Sequence, residues 1–429
     1  MDGGRNQKLE NEVDSRKRNR YLTVMSGPMP PARSEKPRLV FVANTMYSNI
    51  VSGGEIHTCN LTASAIAAGY RVHFFTGHAL KGELERRALP VTVSVTDKQI
   101  MAPRDFGTLG GQLSLLVDYS RRLRGTLPQL NEIQPSDVVY SATDFWWDII
   151  PVLRSRAVRK ILYLGMDCPT FGEIVFKARP DVKTIRLPSL HYWLTQHMAL
   201  RLFRHCPRKR LIYTHYNQKP RLLKMGYREE DLVFVSNGVD LKQPAAVPEQ
   251  KKIYDAAWVG RVHKQKGIED LIATLGFLAK ELKDFRAIMV GDLQKMLAPQ
   301  IADAGLAGRV EFSGYVSEAE KFRLLKSSRV FLMPSRYESW GIVVGEALAT
   351  GLPVVAYELD AYRPVFGDLL RYVPAFDLQA FQRAAADEIR RARAGEKLLD
   401  QAKLGRFIEE NSWEAVGQRF LAAVRSLGD

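Results

Sequence analysis

The stretch VFLMPSRYESWGIVVGEALATGLPVVA, residues 330–356, decides the fold. Its first residues, Val330 to Met333, are an apolar run fit for a strand buried on both faces, and Pro334-Ser335 ends it. A short polar loop carries Glu338, Gly341 opens a helix that bears Glu346, and the run from Pro353 to Ala356 is a second buried strand. Strand, loop, helix and strand in so short a span form one unit of a parallel α/β sheet. The first amides of such a helix have no acceptor within it and make an anion site, and Gly341, lacking a Cβ, lets a phosphate approach. A carboxylate accepts two hydroxyl hydrogen bonds, so Glu338 and Glu346 beside an anion site suit a sugar nucleotide.

The same alternation extends outward. Upstream, WVGRVHKQKGI (258–268) ends a strand in Gly260-Arg261 and places Lys266 just before the next helix. Two cations there neutralise a diphosphate without metal, and the chain has neither an Asp-x-Asp pair nor a His-x-x-x-His site. Strands at Ala256–Val259, Ala287–Val290 and Val310–Phe312 complete the second series, and Leu378–Leu427 reads as helical throughout. The first half gives strands at Leu39–Ala43, Arg71–Phe75, Val91–Val95, Asp137–Tyr140, Ile161–Leu164, Leu211–Thr214 and Val233–Val235. Gly53-Gly54 follows the first of them, ahead of a helix from Glu55 to Ala68. The expected fold is α/β, two Rossmann-like doubly wound domains facing each other across a cleft, with ligand at the carboxyl ends of the strands. The turn Ser236-Asn237-Gly238-Val239-Asp240 and the polar stretch after it divide the chain into domains at 37–245 and 246–410. Residues 411–429 form a terminal helix that packs back on the first domain, and residues 1–36, Pro-rich and without apolar period, read as a disordered leader.

Composition narrows the class. With 46% apolar, 25% charged and 10% aromatic residues in 429, the chain is an ordinary globular protein and no disulfide scaffold or collagen-like array. No apolar run is long enough to span a membrane, and the start has no secretory h-region. The cysteines, Cys59, Cys168 and Cys206, are far apart and read as reduced thiols of a cytoplasmic protein. The formal charge of +15 is concentrated in residues 37–240, densest at Arg121–Arg124, Arg154–Lys160 and Arg201–Arg210. Such a field draws anionic lipid headgroups or diphosphate-linked lipids; nucleic acid is not expected, because no zinc-finger spacing, RNP pattern or long basic helix occurs. Leu190, Leu194, Met198 and Leu202 recur at i+4 on one helix, followed by Arg201, Arg204 and Arg208–Arg210. That face either packs into the core with a basic outer side or lies in a membrane interface.

Together, Gly260-Arg261…Lys266-Gly267, Val290-Gly291-Asp292, Val310-Glu311-Phe312-Ser313-Gly314 and Pro334-Ser335…Glu338…Gly341…Glu346-Ala347 resemble family 4 of the nucleotide-sugar glycosyltransferases, of GT-B architecture. The likeness continues more weakly through Gly53-Gly54-Glu55, Asn237–Asp240 and Ser412-Trp413-Glu414. It implies transfer of a sugar from a UDP- or GDP-sugar, with retention of configuration and no metal or resident cofactor, to a glycan or lipid-linked acceptor of the cell surface. It implies further that Arg261, Lys266 and Glu338 are catalytic, the two cations on the diphosphate and Glu338 facing the transferred sugar. Glu346 would accept the ribose hydroxyls, Gly260, Gly341 and Ile342 would meet the phosphates, and Gly53-Gly54 would form a glycine-rich loop across the cleft.

On the acceptor side the pattern departs from that family. Where many members carry a histidine after the fourth strand, this chain has Ser141-Ala142-Thr143-Asp144, and a second histidine position holds Met166-Asp167-Cys168. Asp144, Asp167 and His57 are the acceptor-side candidates, with helix or turn capping as the structural reading of the two aspartates. The rival functions are a non-catalytic glycan- or nucleotide-binding protein, for which the missing histidines argue, and a soluble sugar synthase or epimerase of the same fold. The expected location is cytoplasmic and peripheral on the inner face of the membrane.

Overall fold

The computed structural model describes residues 36–44, 53–97, 108–176 and 186–428. The proposed leader lies outside them, except for Lys36. The first sheet has seven strands: β1 (Leu39–Ala43), β2 (Val72–Thr76), β3 (Thr92–Val95), β4 (Val138–Ser141), β5 (Arg159–Leu164), β6 (Arg208–Tyr213) and β7 (Leu232–Phe234). Their order is β3-β2-β1-β4-β5-β6-β7, all parallel, with Leu39 opposite both Val72 and Val138. The second sheet holds β8 (Tyr254–Val259), β9 (Ala287–Val290), β10 (Val310–Gly314), β11 (Ser328–Met333), β12 (Val354–Tyr357) and β13 (Arg371–Val373), in the order β10-β9-β8-β11-β12-β13 and again parallel. In both sheets the strand order reverses once, between β1 and β4 and between β8 and β11, and those two points are where a doubly wound sheet opens a crevice.

The helices of the first half are α1 (Gly53–Ala67), α2 (His78–Arg86), α3 (Leu109–Thr126), α4 (Trp146–Arg154), α5 (Phe171–Phe176), α6 (Arg186–Phe203) and α7 (Gln218–Lys224). Those of the second are α8 (Lys242–Ala246), α9 (Ile268–Glu281), α10 (Gln294–Asp303), α11 (Glu318–Lys326), α12 (Ile342–Ala349), α13 (Arg363–Phe366), α14 (Leu378–Arg393), α15 (Gln401–Asn411) and α16 (Trp413–Arg425). Each sheet is buried on both faces, which is why its strands read as continuous apolar runs.

The helical tail is three helices rather than one, broken at Gly395 and at Ser412. α16 returns to the first half, where Val416, Phe420, Leu421 and Val424 join Phe41 and Tyr140 in one core. It lies so close to α1 that a Cβ on Gly417 would come within 2.1 Å of Ser64 Oγ. The chain thus passes between the sheets twice, and a bridge between Val239 and Ser412 pins the passages together. Gly238 fits there because the Trp413 ring lies 2.6 Å from where its Cβ would be.

Part of the positive charge in the basic stretches of the first half is buried and structural. Arg159 and Lys160 open β5 and Lys209 lies in β6, all three buried. Arg159 donates to the carbonyls of Gly428 and Ser136, Lys160 to those of Leu153 and Ser155, and Lys209 pairs with Asp231 at 3.0 Å. Arg122, 1% exposed, donates to Asn44 O and pairs with Asp97 at 3.1 Å. These cations hold strand and helix ends to their neighbours; Arg121, Arg124, Arg154, Arg156, Arg201 and Arg208 remain exposed.

Candidate functional site

At the switch point of the second sheet, β8 runs into Gly260-Arg261 and β11 into Pro334-Ser335. The two loops fit each other through glycine. Gly267 adopts φ +63, and a Cβ on it would meet Pro334 O at 1.9 Å, so no other residue is accommodated. Arg336 N donates to Gln265 O at 2.8 Å and Gln265 Nε2 to Tyr337 O at 2.7 Å, which locks the loops side by side. The consequence is an ion pair, Lys266 Nζ to Glu338 Oε1 at 2.6 Å, with both side chains mostly buried. Lys266, expected as a cation for the diphosphate, is thus paired with Glu338. Arg261 is exposed and, among the described residues, has no partner.

Gly341, at φ +85, turns the chain into α12, and a Cβ there would press on the Tyr362 ring at 3.1 Å. The Ile342 amide lies in the first turn, where helix geometry leaves donors open. One turn on, Glu346 is buried, and its Oε1 accepts from Lys321 Nζ at 2.8 Å. Burial pushes its carboxyl above the usual range, and the Lys321 ammonium pulls it partly back.

Gly53 and Gly54 form the first turn of α1 rather than a loop, a correction to the sequence expectation. Their place is across from the second sheet: a Cβ on Gly53 would come 3.2 Å from Ile342 Cδ1. The N-termini of α1 and α12 thus meet at the cleft.

On the first sheet, β4 ends at its switch point and leads to Asp144. This carboxyl is 3% exposed, burial pushes it up to about 7, and its Oδ2 accepts from Gln196 Nε2 at 2.7 Å. It does not cap α4, whose N-cap is Phe145. Gln196 also donates to Met166 O and accepts from Cys168 N, so one α6 side chain joins Asp144 to the loop after β5. In that loop Asp167 pairs with Arg221 at 2.7 Å, and its carbonyl accepts from Tyr337 OH at 2.9 Å. Tyr337, next to Glu338, thereby ties the second sheet's loop to the first.

His57 is fully buried, stacked on Tyr163 with ring centroids 4.4 Å apart and bonded through Nδ1 to Asn237 Oδ1 at 3.0 Å. Burial lowers its pKa to about 3, so it is a neutral ring of the core. Gln196, Arg221, Tyr337 and Lys321 belong to these networks and were missed by sequence reasoning. Gln196 carried a signal, being polar on the helix face that runs through Ala199, Leu200 and Phe203; the other three read as ordinary surface residues. Among the described residues no three His, Cys, Asp or Glu side chains converge as for a metal ion.

The i+4 face of α6 is exposed, not packed into the core: Leu190, Leu194, Met198 and Leu202 stand 40–48% open. Its inner face is Thr195, Gln196, Ala199, Leu200 and Phe203. Neighbouring α3 exposes Leu109, Leu113 and Val117, and α5 exposes Phe171, Val175 and Phe176. Gln112 of α3 bonds His191 of α6 at 3.0 Å, and Phe171 of α5 packs on Trp193 at 5.3 Å. The three helices thus form one apolar outer face beside the loops of Asp144 and Asp167.

Residues 240–404 match the family model described as Glycosyl transferases group 1. A phosphatidyl-myo-inositol mannosyltransferase of Mycolicibacterium smegmatis is 36% identical over 156 residues, which is 34% of this chain and 40% of that protein. Among solved structures, Anabaena HepE in complex with UDP superposes with a TM-score of 0.64 at 18% identity, covering 91% of this chain and all of that one. A sucrose-phosphate synthase of Thermosynechococcus elongatus gives 0.68 at 16% identity, over 91% of this chain and 99% of the other. The two facing parallel sheets are the GT-B fold, and the second of them, with Arg261, Lys266, Glu338 and Glu346, lies within the stretch that matches the glycosyl transferases group 1 model.

Proposed function

We propose that this protein is a retaining glycosyltransferase that moves a sugar from a UDP- or GDP-sugar to a lipid-linked or glycan acceptor, without a metal. One observation carries the reading: Arg261, Lys266–Glu338 and the Gly341-capped start of α12 with Glu346 gather at the switch point of the second sheet. In this reading the exposed Arg261 and the Lys266 ammonium oppose the charge that grows on the departing diphosphate, and the α12 amides accept a phosphate oxygen. Glu338, held by Lys266, faces the transferred sugar, Glu346 Oε2 takes the ribose hydroxyls, and Gly260 and Gly53-Gly54 leave room for the donor. The acceptor hydroxyl arrives past Asp144 and Asp167 from the first domain. The named relative acts on phosphatidyl-myo-inositol, which favours a lipid acceptor over a soluble sugar.

The apolar outer face of α3, α5 and α6 supports the same choice. An exposed apolar patch of this kind marks an interaction surface, and the exposed Arg121, Arg124 and Arg201 on the same helices favour an anionic bilayer as its partner. The enzyme would then sit peripherally on the inner face of a membrane, its acceptor loops toward the lipid; no helix among the described residues is long and apolar enough to cross it. Incubation with UDP- and GDP-sugars and a phosphatidylinositol-containing lipid extract tests the reading. It predicts a glycolipid product with the donor's anomeric configuration; nucleotide release without product, or inverted product, refutes it. For the membrane, sedimentation with anionic vesicles is predicted to be lost when Leu190, Leu194 and Met198 become Ser; unchanged sedimentation refutes that part.

A further inference from the structure

Glu346 does not stand alone. Its Oε1 is held at 2.8 Å by Lys321 Nζ, which comes from α11, and the same ammonium meets Glu318 Oε2 at 2.8 Å and lies 4.8 Å above the Phe322 ring. The side chains of Lys321 and Glu346 keep only 11% and 10% of their surface. Taking both charges out of water is costly, and replacing such a pair by well-packed apolar side chains is often neutral or stabilising, so joining two helices does not by itself account for it. The remaining oxygen, Glu346 Oε2, has no partner among the described residues, while burial works against the charge that a hydroxyl acceptor needs. One oxygen is tethered and the other left open.

From this geometry we infer that Lys321 is a positioning residue for nucleotide recognition: it fixes the orientation of Glu346, so that Oε2 meets the vicinal hydroxyls of the donor's ribose. The inference rests on the reading of Glu346 given under the proposed function. Glu318 completes the arrangement by taking a second N–H of Lys321, so that the ammonium stays charged and still donates toward α12. The role touches binding and orientation only; Lys321 contacts no reacting atom.

The test is calorimetric titration of the full-length protein with UDP and GDP, and with the 2′,3′-dideoxy form of whichever binds. Wild type is expected to prefer the ribo form, and Glu346→Ala to lose that preference. Lys321→Met is expected to weaken binding of the ribo form 10- to 100-fold while leaving the dideoxy form within about twofold, and Lys321→Arg to retain most of the preference. Lys321→Gln serves in place of Met if that variant does not fold, with the same expectation. Equal loss for both nucleotide forms, or no loss, in the Met or Gln variant overturns the inference while the reading of Glu346 stands. A wild type that binds neither nucleotide, or a Glu346→Ala that keeps the ribose preference, overturns the reading and the inference with it.

Discussion

Asp144→Asn isolates one charge with little change of shape. The carboxyl of Asp144 rises from 3.8 to about 7 because it is buried, with Gln196 as its hydrogen-bond donor. Between those values the folded protein holds a proton that the unfolded chain has released, so stability falls as pH rises through that window and the loss is complete above about pH 7. A rise from 3.8 to about 7 amounts to roughly 4 kcal/mol against the ionised form, of which about 2–3 kcal/mol is lost between pH 5 and pH 8. Asparagine keeps an oxygen for Gln196 Nε2 and has no proton to lose. Urea denaturation of both proteins at pH 5 and pH 8 should therefore show wild type losing about 2–3 kcal/mol more than Asp144→Asn over the interval. Parallel pH dependence in the two proteins would refute the argument, since it would mean that the carboxyl titrates normally.

Other consequences are as direct. Arg261→Ala should reduce kcat at saturating donor by ~100- to 1000-fold, the scale for removing one group that opposes developing charge, and near wild-type turnover would exclude that role. Gly267→Ala forces a Cβ to within 1.9 Å of Pro334 O at φ +63. It should cost at least about 2 kcal/mol by urea titration and displace Lys266 from Glu338, weakening nucleotide binding; a silent substitution would contradict the loop geometry. Phe420→Ala empties a core position shared by α16 and β1, and should cost about 3–5 kcal/mol in the same titration. A loss below about 1 kcal/mol would show α16 to be loosely attached.

The parallel sheets were legible because burial on both faces writes each strand as an apolar run. β13 was not, since Arg371-Tyr372-Val373 is short and begins with a charge. β5 and β6 start earlier than their apolar residues suggest, at Arg159 and Arg208. Their buried cations are satisfied by carbonyls and by Asp231, partners that lie 23 to 269 positions away for Arg159 and that no local pattern reveals. The same limit governs the site. Strand ends, glycines and the Glu338 and Glu346 spacing stand in one stretch of chain, whereas Lys266–Glu338, Lys321–Glu346 and Tyr337–Asp167 are contacts between separate elements. Periodicity on α6 gave the apolar stripe but not its direction: two apolar sides share that helix, and only packing against α4 and the sheet decides which turns inward.

The most direct test of the central claim is the thermal stability of the protein with UDP, GDP, ADP and their sugars, measured beside Glu346→Ala. A ligand at ~100 times its Kd stabilises the folded state by about 2.7 kcal/mol, enough to raise Tm by a few degrees. A nucleotide-sugar site at the second sheet predicts a rise with UDP or GDP and their sugars that is lost in Glu346→Ala. No rise with any nucleotide, or a rise that Glu346→Ala retains in full, would contradict it.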